Sequence, residues 1–414
     1  MTTLNPTAAL PATSQIDLLN GRRQIWIMAV LSLLMGFGSI STDIYLPALP
    51  LMAQALGSSN GAVEFTIGGY LIGFSLGQLL WGPISDRFGR RWPIAAGLVL
   101  FAIASAGCAL STTAPEMIGW RIVQAVGACS GVVLARAMVR DLYPAERAAQ
   151  MLSTLITIMA IAPLIGPLVG GQILSFASWR AIFWLLVAVG LIALAALFAI
   201  PETLPPKARS AGSLRSAFAG YGQVIRDRDV ILNAGVGGLF YIGIYAYISG
   251  TPFAYIDYYH VPEQLYGFLF GASILGIMAM NMVNIRLVQR LGSERLLRIG
   301  ASGAALAGIA AAIASIIGFG KLFGLAIPLL VYCSMSGLIV ANSIAGALKN
   351  QSQRAGSASA LVGALHYGVG IAGSGLVALF ANGTPVPLGC VMAGAGIACF
   401  LLSRLLPAAR KATA

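Results

Sequence analysis

The chain has 414 residues, of which 58% are hydrophobic and only 9% are charged. Soluble domains carry about a quarter charged residues, so this composition excludes a soluble globular protein and indicates a polytopic membrane protein. The formal net charge of +12 follows from arginines placed in alternate connections between apolar runs, and no nucleic-acid partner is expected.

Apolar runs of about 20 residues predict an all-α protein that crosses the membrane as helices. The five cysteines fall inside these runs and predict neither a disulfide framework nor a metal site. The twelve predicted spans are 24–47, 63–81, 92–110, 116–139, 150–174, 179–200, 231–251, 265–285, 297–317, 322–347, 357–381 and 386–405.

The cations are distributed unequally between the two sets of alternating connections. Only Arg180 and Lys321 fall in one set, and almost all the others fall in the second set or in the tails. The positive-inside rule therefore predicts that both termini lie in the cytoplasm. The charge is a consequence of topology and does not indicate an acidic partner.

Two halves are predicted from the longest interior connection and from a repeat. Residues 201–230 carry Pro205 and Pro206 and are interpreted as a linker between bundles at 1–200 and 231–414. Three residues recur at an offset of 203 positions, as Arg87 and Arg290, Gly89 and Gly292, and Gly97 and Gly300. Parallel halves with a substrate site between them are typical of transporters.

Asp43 is interpreted as the one carboxylate well inside an apolar span, since the other acids fall in tails, loops or span edges. Ionisable groups in hydrocarbon are costly and mark functional sites. The predicted partner is Arg121, at comparable depth in the fourth span, with Tyr70 and Gln124 as hydrogen-bonding neighbours. Two alternatives remain open. Asp43 could cap the outer end of its helix, and Arg121 could extend its side chain to the membrane–water interface.

Such a pair predicts proton coupling. Burial favours the neutral acid, whereas a nearby guanidinium favours the carboxylate. A conformational change that moves Arg121, or admits a substrate, would therefore load or release a proton. We predict that Asp43 exchanges a proton for substrate, with the proton gradient as the energy source and no cofactor.

The short connection after the second span predicts a tight turn, because Gly89 suits a reversal that needs positive φ. Asp86 is expected to face a helix N-terminus or Arg136 and Arg140. The pattern G-x-x-x-D-R-x-G-R-R in this connection resembles the major facilitator superfamily. The resemblance implies a conformational latch made of Gly82, Asp86, Arg87, Gly89, Arg90 and Arg91.

The fifth span resembles the G-P-x-x-G-G motif of drug/proton antiporters in that superfamily. Prolines kink a helix and glycines let a neighbouring helix approach closely, although ordinary packing of small residues explains the same pattern. In the fourth span, the run from Arg121 resembles the family pattern R-x-x-Q-G-x-G, with Ala125 in place of the first glycine. The antiporter motif comprises Pro163, Gly166, Pro167, Gly170 and Gly171.

Segments 42–50, 140–144, 178–184 and 201–206 look like the Bcr/CflA group of bicyclomycin and chloramphenicol resistance exporters of bacterial inner membranes. The resemblance implies the major facilitator fold, with two pseudo-symmetric six-helix bundles in one chain. It also implies a cavity between spans one, four, seven and ten, and proton-driven export of small amphipathic drugs. Some relatives carry a second acid where this chain has Met35. A proton symporter for uptake of a metabolite is the alternative on the same scaffold.

Aromatic side chains with polar tips suit a cavity for amphipathic drugs. His366 in the eleventh span is a candidate for a proton relay, with a structural hydrogen-bond donor as the alternative. A single chain that holds both halves is expected to work as a monomer. The candidate substrate-binding residues are Tyr45, Tyr70, Gln124, Tyr241 and Tyr245.

Overall fold

The computed structural model describes residues 21–209, 221–351 and 354–406. The regular secondary structure of these residues is helical throughout. Within the described residues, eleven stretches are long and apolar enough to cross a membrane, and the remaining predicted span, the fifth, is divided into two shorter helices. The predicted all-α, twelve-span fold is confirmed. Both chain termini and residues 210–220 of the predicted linker lie outside the described residues.

Eight helices form the N-terminal half. They are α1 (Gly21–Asp43), α2 (Leu49–Ala55), α3 (Asn60–Phe88), α4 (Arg91–Leu110), α5 (Ala114–Leu142), α6 (Ala145–Met159), α7 (Ala162–Leu174) and α8 (Trp179–Phe198).

Seven helices form the C-terminal half. They are α9 (Arg228–Pro252), α10 (Glu263–Leu291), α11 (Ser293–Ile317), α12 (Lys321–Ser334), α13 (Ser336–Leu348), α14 (Ala355–Leu379) and α15 (Val386–Arg404). A π-helical segment, Phe253–Tyr258, continues α9.

Local sequence explains several helix ends. The Ser59 side chain accepts a hydrogen bond from the third residue of α3, and Thr113 with Glu116 forms a capping box at the start of α5. Gly89 ends α3 with φ of +92°, which confirms the predicted positive φ at this turn, and Gly292 ends α10 with φ of +77°. The predicted repeat is therefore present in the backbone, because these two glycines lie 203 residues apart.

The prediction of one continuous fifth span was wrong, because the helix is interrupted between α6 and α7. Pro163 lacks the N–H that would continue the ladder of α6. The amides of Leu164 and Ile165 bond back to the Ile161 carbonyl instead, at 3.1 and 3.0 Å. The tenth span is likewise divided at Met335, between α12 and α13.

The first span also ends earlier than predicted. Pro47 cannot donate a hydrogen bond to the Asp43 carbonyl, so α1 ends at Asp43 and not at Pro47. The chain continues through a 3-10 turn, Leu46–Ala48, and then through α2. Because these added segments are themselves buried, the end of α1 lies inside the protein.

The two halves meet along α3 with α14 and along α7 with α10. We call the face that carries the turn at Gly89 the basic face and the other the opposite face. Near the opposite face, a methyl group on Gly61 would lie 2.3 Å from the Ala378 carbonyl oxygen, and one on Gly171 would lie 2.6 Å from that of Glu263. The backbones of the two halves are thus in close contact there, and this conformation is closed on the opposite face.

Candidate functional site

Arg121 lies completely buried in the N-terminal half. Its guanidinium carbon stands 4.3 Å from the centroid of the Tyr45 ring and 4.4 Å from that of Tyr70. Nη1 donates to the Ser41 carbonyl at 3.0 Å and to Gln124 Oε1. Two aromatic faces and two oxygen acceptors thus contact this cation, whereas its Nε and Nη2 have no hydrogen-bond partner among the described residues. The predicted neighbours Tyr70 and Gln124 are both in contact with it.

Asp43 lies at the last residue of α1 and is 5% exposed. A helix C-terminus carries partial negative charge, so an ionised carboxylate at this position is disfavoured by the helix as well as by burial. Arg121 is the opposing charge that acts on it. Asp43 is therefore a carboxyl group that is neutral or ionised depending on the groups around it.

The expected ion pair between Asp43 and Arg121 is not formed in this conformation. The described residues contain no salt bridge between the two side chains. Arg121 instead holds the carbonyl of Ser41, two residues before the acid. Ser41 Oγ also bonds the Tyr70 hydroxyl at 2.6 Å. The arginine therefore holds the segment that carries the carboxyl group and leaves the carboxyl group itself unpaired with it.

The predicted antiporter motif packs on this same segment. A methyl group on Gly166 would lie 3.3 Å from Asp43 Cβ, and one on Gly170 would lie 1.8 Å from the Ile44 carbonyl oxygen. Gly171 faces the C-terminal half at Glu263. The glycines of α7 thus let it touch the end of α1 on one side and α10 on the other.

A cavity of about 290 Å³ lies between the two halves, next to Asp43. This volume is close to the lower end of those that bind small molecules. Its walls are mostly aromatic and aliphatic. The ionisable side chains in the walls are those of Asp43, Tyr70, Arg136, Tyr241, Tyr245 and Tyr367.

Three of the five predicted substrate-binding residues line this cavity, namely Tyr70, Tyr241 and Tyr245. Tyr45 and Gln124 do not. The Tyr45 hydroxyl bonds Thr66 Oγ1 at 3.1 Å, and the Gln124 amide nitrogen donates to Ser105 Oγ at 2.7 Å. Both side chains are turned into the N-terminal half, where they support Arg121.

Sequence reasoning missed Tyr367 and Arg136 as cavity residues. The Tyr367 ring lies 4.6 Å from Phe74 and 5.8 Å from Tyr241, measured between centroids, so it joins the aromatic walls of the two halves. An isolated Tyr in an apolar helix carries no signal of the direction it faces. Arg136 is one cation inside a predicted span, and that signal was available.

His366, the neighbour of Tyr367, lies behind the cavity wall. It is 2% exposed, its ring centroid is 5.0 Å from that of Tyr241, and its Nε2 has no hydrogen-bond partner among the described residues. The structure places it in the packing between α14 and α9.

The predicted latch forms a compact cluster at the basic face. Arg90 is 7% exposed, and its Nη1 donates to Asp86 Oδ1 at 2.6 Å while its Nε donates to Asp141 Oδ2 at 2.8 Å. Arg91 donates to the Phe198 carbonyl at 2.6 Å. The latch thus ties the ends of α3, α5 and α8 together. Gly82 has open space around it, and Arg87 lies over the ring of Phe88.

Of the two alternatives expected for Asp86, it faces the N-terminus of α4, whose N-cap residue is Arg90, and not Arg136 or Arg140. Asp86 pairs with Arg90, four residues ahead, because the turn at Gly89 folds the start of α4 back toward the end of α3. Arg136 lines the central cavity instead, and Arg140 is exposed.

Glu202, after α8, completes the latch. Its carboxylate accepts hydrogen bonds from the backbone N–H groups of Arg90 at 2.9 Å and Arg91 at 3.0 Å. Burial acts to raise the pKa of Glu202, but the hydrogen bonds from Leu204, Arg90 and Arg91 and the charge of Arg209 outweigh it and lower this pKa. For Arg90, burial acts to lower the pKa, and the bonds and charges of Asp141 and Asp86 raise it. Glu202 and Arg90 are therefore both charged at neutral pH.

A second carboxyl group is buried in addition to Asp43. Glu64, in the second turn of α3, is 3% exposed. The burial of Glu64 was not predicted, because Asp43 was the one acid expected well inside an apolar span. Glu64 falls at the edge of its span, and only the packing of α14 and the segment after α9 against it removes it from water.

The comparison with known families decides the identity. A model of the Major Facilitator Superfamily matches residues 26–375. This chain belongs to that superfamily. Its members are transporters, and the protein is accordingly a multi-pass membrane transporter with a small-molecule substrate.

Individual members of the superfamily are similar over most of the chain. YdgK, an uncharacterised transporter of Bacillus subtilis, is 34% identical over 375 residues, which cover 90% of this chain and 93% of that one. The bicyclomycin resistance protein homolog of Haemophilus influenzae is 29% identical over 388 residues, covering 92% and 96%. The chloramphenicol resistance protein of Pseudomonas aeruginosa is 39% identical over 159 residues, 38% of each chain. The predicted resemblance to the Bcr/CflA group is confirmed.

The fold is shared with solved transporters of the superfamily. The xylose transporter of Escherichia coli, in a partially occluded inward-open conformation, superimposes with a TM-score of 0.75 over 94% of this chain and 98% of its own. Sequence identity in this comparison is 15%. The likeness therefore establishes the major facilitator fold.

Proposed function

We propose that this protein is a proton-driven drug exporter of a bacterial inner membrane. Its substrates are small amphipathic antibiotics of the bicyclomycin or chloramphenicol type, as in the relatives named for resistance to these compounds. The basic face and both termini lie in the cytoplasm, in accord with the positive-inside rule. The chain works as a monomer, needs no cofactor and takes its energy from the proton gradient.

The observation that carries this proposal is the composition of the central cavity. Aromatic and aliphatic walls from both halves surround a single carboxyl group, Asp43, at the end of α1. Such walls suit an amphipathic drug without demanding one particular shape. A carboxyl group whose charge depends on its neighbours can hold a proton in one state and release it in another.

Transport then proceeds as an exchange. When the cavity faces the cytoplasm, the drug enters and Asp43 releases its proton to that side. When the cavity faces the exterior, the drug leaves and Asp43 takes up a proton from that side. Arg121 and the glycines of α7 hold the backbone of this segment, so a change of charge at Asp43 is transmitted to the helices that contact both halves.

Everted vesicles with an imposed proton gradient test the proposal, with chloramphenicol as a neutral drug. For the native chain, we expect chloramphenicol to accumulate inside the vesicles and to induce proton movement. Asp43→Asn should abolish both, and Arg121→Ala should reduce both by more than tenfold. Gly394→Ala in α15 is the matched control, since its new methyl group meets open space. Native-level accumulation by Asp43→Asn would overturn the coupling assignment.

Uptake by proton symport is separated from export by direction. Cells that lack an exporter accumulate more chloramphenicol than wild-type cells. Cells that lack an uptake symporter accumulate less nutrient and are unchanged toward the drug. We expect the first result, because the named relatives confer drug resistance.

A further inference from the structure

The seam between the two halves at the opposite face is built from α3 and α14. A methyl group on Gly61 would lie 2.3 Å from the Ala378 carbonyl oxygen, and one on Gly68 would lie 3.2 Å from Ser374 Oγ. Closer to the surface, Asn60 Nδ2 donates to Asp257 Oδ2 at 3.3 Å. These contacts have to break if the central cavity beside Asp43 is to open at the opposite face.

Glu64 lies within this seam. Its side chain is 97% buried, its Oε2 has no hydrogen-bond partner, and its carboxyl group has no salt bridge among the described residues. It borders a cavity of about 390 Å³ that is walled by both halves. The orphan oxygen therefore lies at the junction that opens and closes.

No cation among the described residues of the cavity wall neutralises Glu64. The titratable groups that share the wall are Asp257 and Tyr258 in the π-helical segment after α9 and His260 in the loop that follows it. The wall residues contributed by α14, by the 382–385 connection and by α15 are not titratable. Asp257 and His260 are exposed, so water screens their charges.

The burial of Glu64 links the seam to protonation. A buried carboxylate without a partner costs several kcal/mol, whereas the neutral acid costs much less. Separation of α3 from α14 would admit water, and the carboxylate would then be hydrated. The closed seam therefore binds one proton more tightly than the open seam does.

We propose that Glu64 is a proton-binding residue of the exterior gate, which holds the gate closed when it is protonated and favours opening when it is ionised. The proton enters from the exterior as the seam closes and returns to the exterior as it opens. It is distinct from the proton that Asp43 carries across the membrane. Only the assignment of this face as the exterior rests on the proposed function.

A distance measurement across the seam tests the gate directly. Gln54→Cys in α2 and Phe319→Cys before α12 are exposed positions, one in each half, at the opposite face. Cys390 is the exposed one of the five native cysteines and is replaced by Ser. Spin labels on the pair report closed and open populations in lipid nanodiscs from pH 5 to pH 9.

For the native side chain at position 64, we expect the ratio of open to closed populations to rise with pH, by up to tenfold per pH unit. Glu64→Gln should lose this dependence and stay closed throughout. Glu64→Asp, which keeps a carboxyl group, should retain it. A native protein that does not respond to pH, or a Glu64→Gln variant that responds as the native chain does, would overturn the proposal.

Three further variants identify the titrating group. Asp257→Asn and His260→Asn should both keep the pH-dependent opening. If either variant loses it while Glu64→Gln keeps it, the titrating group is not Glu64 and the proposal is overturned. Asp43→Asn should lose proton-coupled export in vesicles but keep the pH-dependent opening. The vesicle assay therefore tests the exporter assignment, and the distance measurement separately tests the gate.

Discussion

The turn between the second and third spans occurs once in each half, with the same backbone and different chemistry. Gly89 and Gly292 both end their helices with positive φ, at +92° and +77°. Beside Gly89, Arg90 pairs with two carboxylates. At the matching position, Ser293 Oγ donates to Asn342 Oδ1 at 2.7 Å, and Asn342 donates to Asn284 at 2.6 Å.

The two halves thus share the backbone of this turn but differ in the charge of their side chains. The N-terminal half holds Asp43 and Arg121 within the membrane and the ionic latch at the basic face. The C-terminal half supplies aromatic surface from Tyr241 and Tyr245 and joins its helices through neutral amides. One half thus carries the charged groups, and the other supplies aromatic surface to the cavity.

The largest loss of stability is expected at Arg90 and its counterpart Ser293, where the two turns differ most in charge. Arg90→Ala leaves Asp141 without its cation, and removal of one partner from a buried ion pair costs about 3–5 kcal/mol. Ser293→Ala removes one neutral hydrogen bond, which is worth about 1 kcal/mol. Thermal melting in detergent should show a much larger loss for Arg90→Ala. Equal losses would contradict the asymmetry.

A smaller effect is expected where the halves are alike. Methyl groups on Gly170 and Gly373 would lie 1.8 and 1.9 Å from the carbonyl oxygens of Ile44 and Ile242, so each helix would have to move. Gly170→Ala and Gly373→Ala should each lower stability by about 1–3 kcal/mol.

Proton coupling separates these two glycine variants, because only Gly170 packs beside Asp43. We expect Gly170→Ala to lose drug-induced proton movement per drug molecule exported, while Gly373→Ala keeps this ratio among the molecules that fold. Vesicle assays normalised to folded protein measure it. An equal loss of the ratio in both variants would remove the special role of the α1–α7 contact.

Tyr241 in the C-terminal half and Tyr45 in the N-terminal half should differ in their effect on substrate binding. Tyr241→Leu removes a ring from the cavity wall and should raise KM for drug by 5- to 10-fold, about 1 kcal/mol of binding. Tyr45→Leu removes a ring over Arg121 that does not line the cavity. It should lower the melting temperature and leave KM within about twofold. The reverse pattern would mean that Tyr45 contacts substrate in another state.

The smallest effect concerns the pH dependence of the latch. The pKa of Glu202 is lowered below its ordinary value of 4.5. Its carboxylate therefore contributes stability above that value, and the contribution is lost as pH falls through the folded-state pKa. The partly exposed group should contribute below about 1 kcal/mol. Melting curves between pH 6 and pH 3.5 should fall less steeply for Glu202→Gln than for the native chain, and parallel curves would contradict the role.

Much of the site was predictable because it depends on residue type and depth. Arg121, Tyr70 and Gln124 were predicted as neighbours from their depth in two spans, and the structure brings them together. The positive φ of Gly89 follows from the chemistry of glycine in a tight turn. The early end of α1 traces to Pro47, although this end was predicted four residues later than it lies. The break before α7 traces to Pro163 and was not predicted.

Other features depend on the rotation of each helix about its axis. A helix that is apolar on all sides has no polar stripe to show which side faces its neighbours. Tyr45 and Tyr70 were therefore equally good candidates for the cavity, and only Tyr70 lines it. Arg136 faces the cavity and Arg140 is exposed, although one turn separates them.

From the sequence by itself come the membrane class, the twelve spans, the duplicated turn and the presence of one acid deep in an apolar run. Only the tertiary structure shows that Arg121 holds the backbone beside Asp43, that the cavity is aromatic on both sides and that Glu64 is buried in the seam. The physical reason is that composition and local spacing determine whether a segment enters the membrane. Burial of a particular side chain depends on which other helix lies against it.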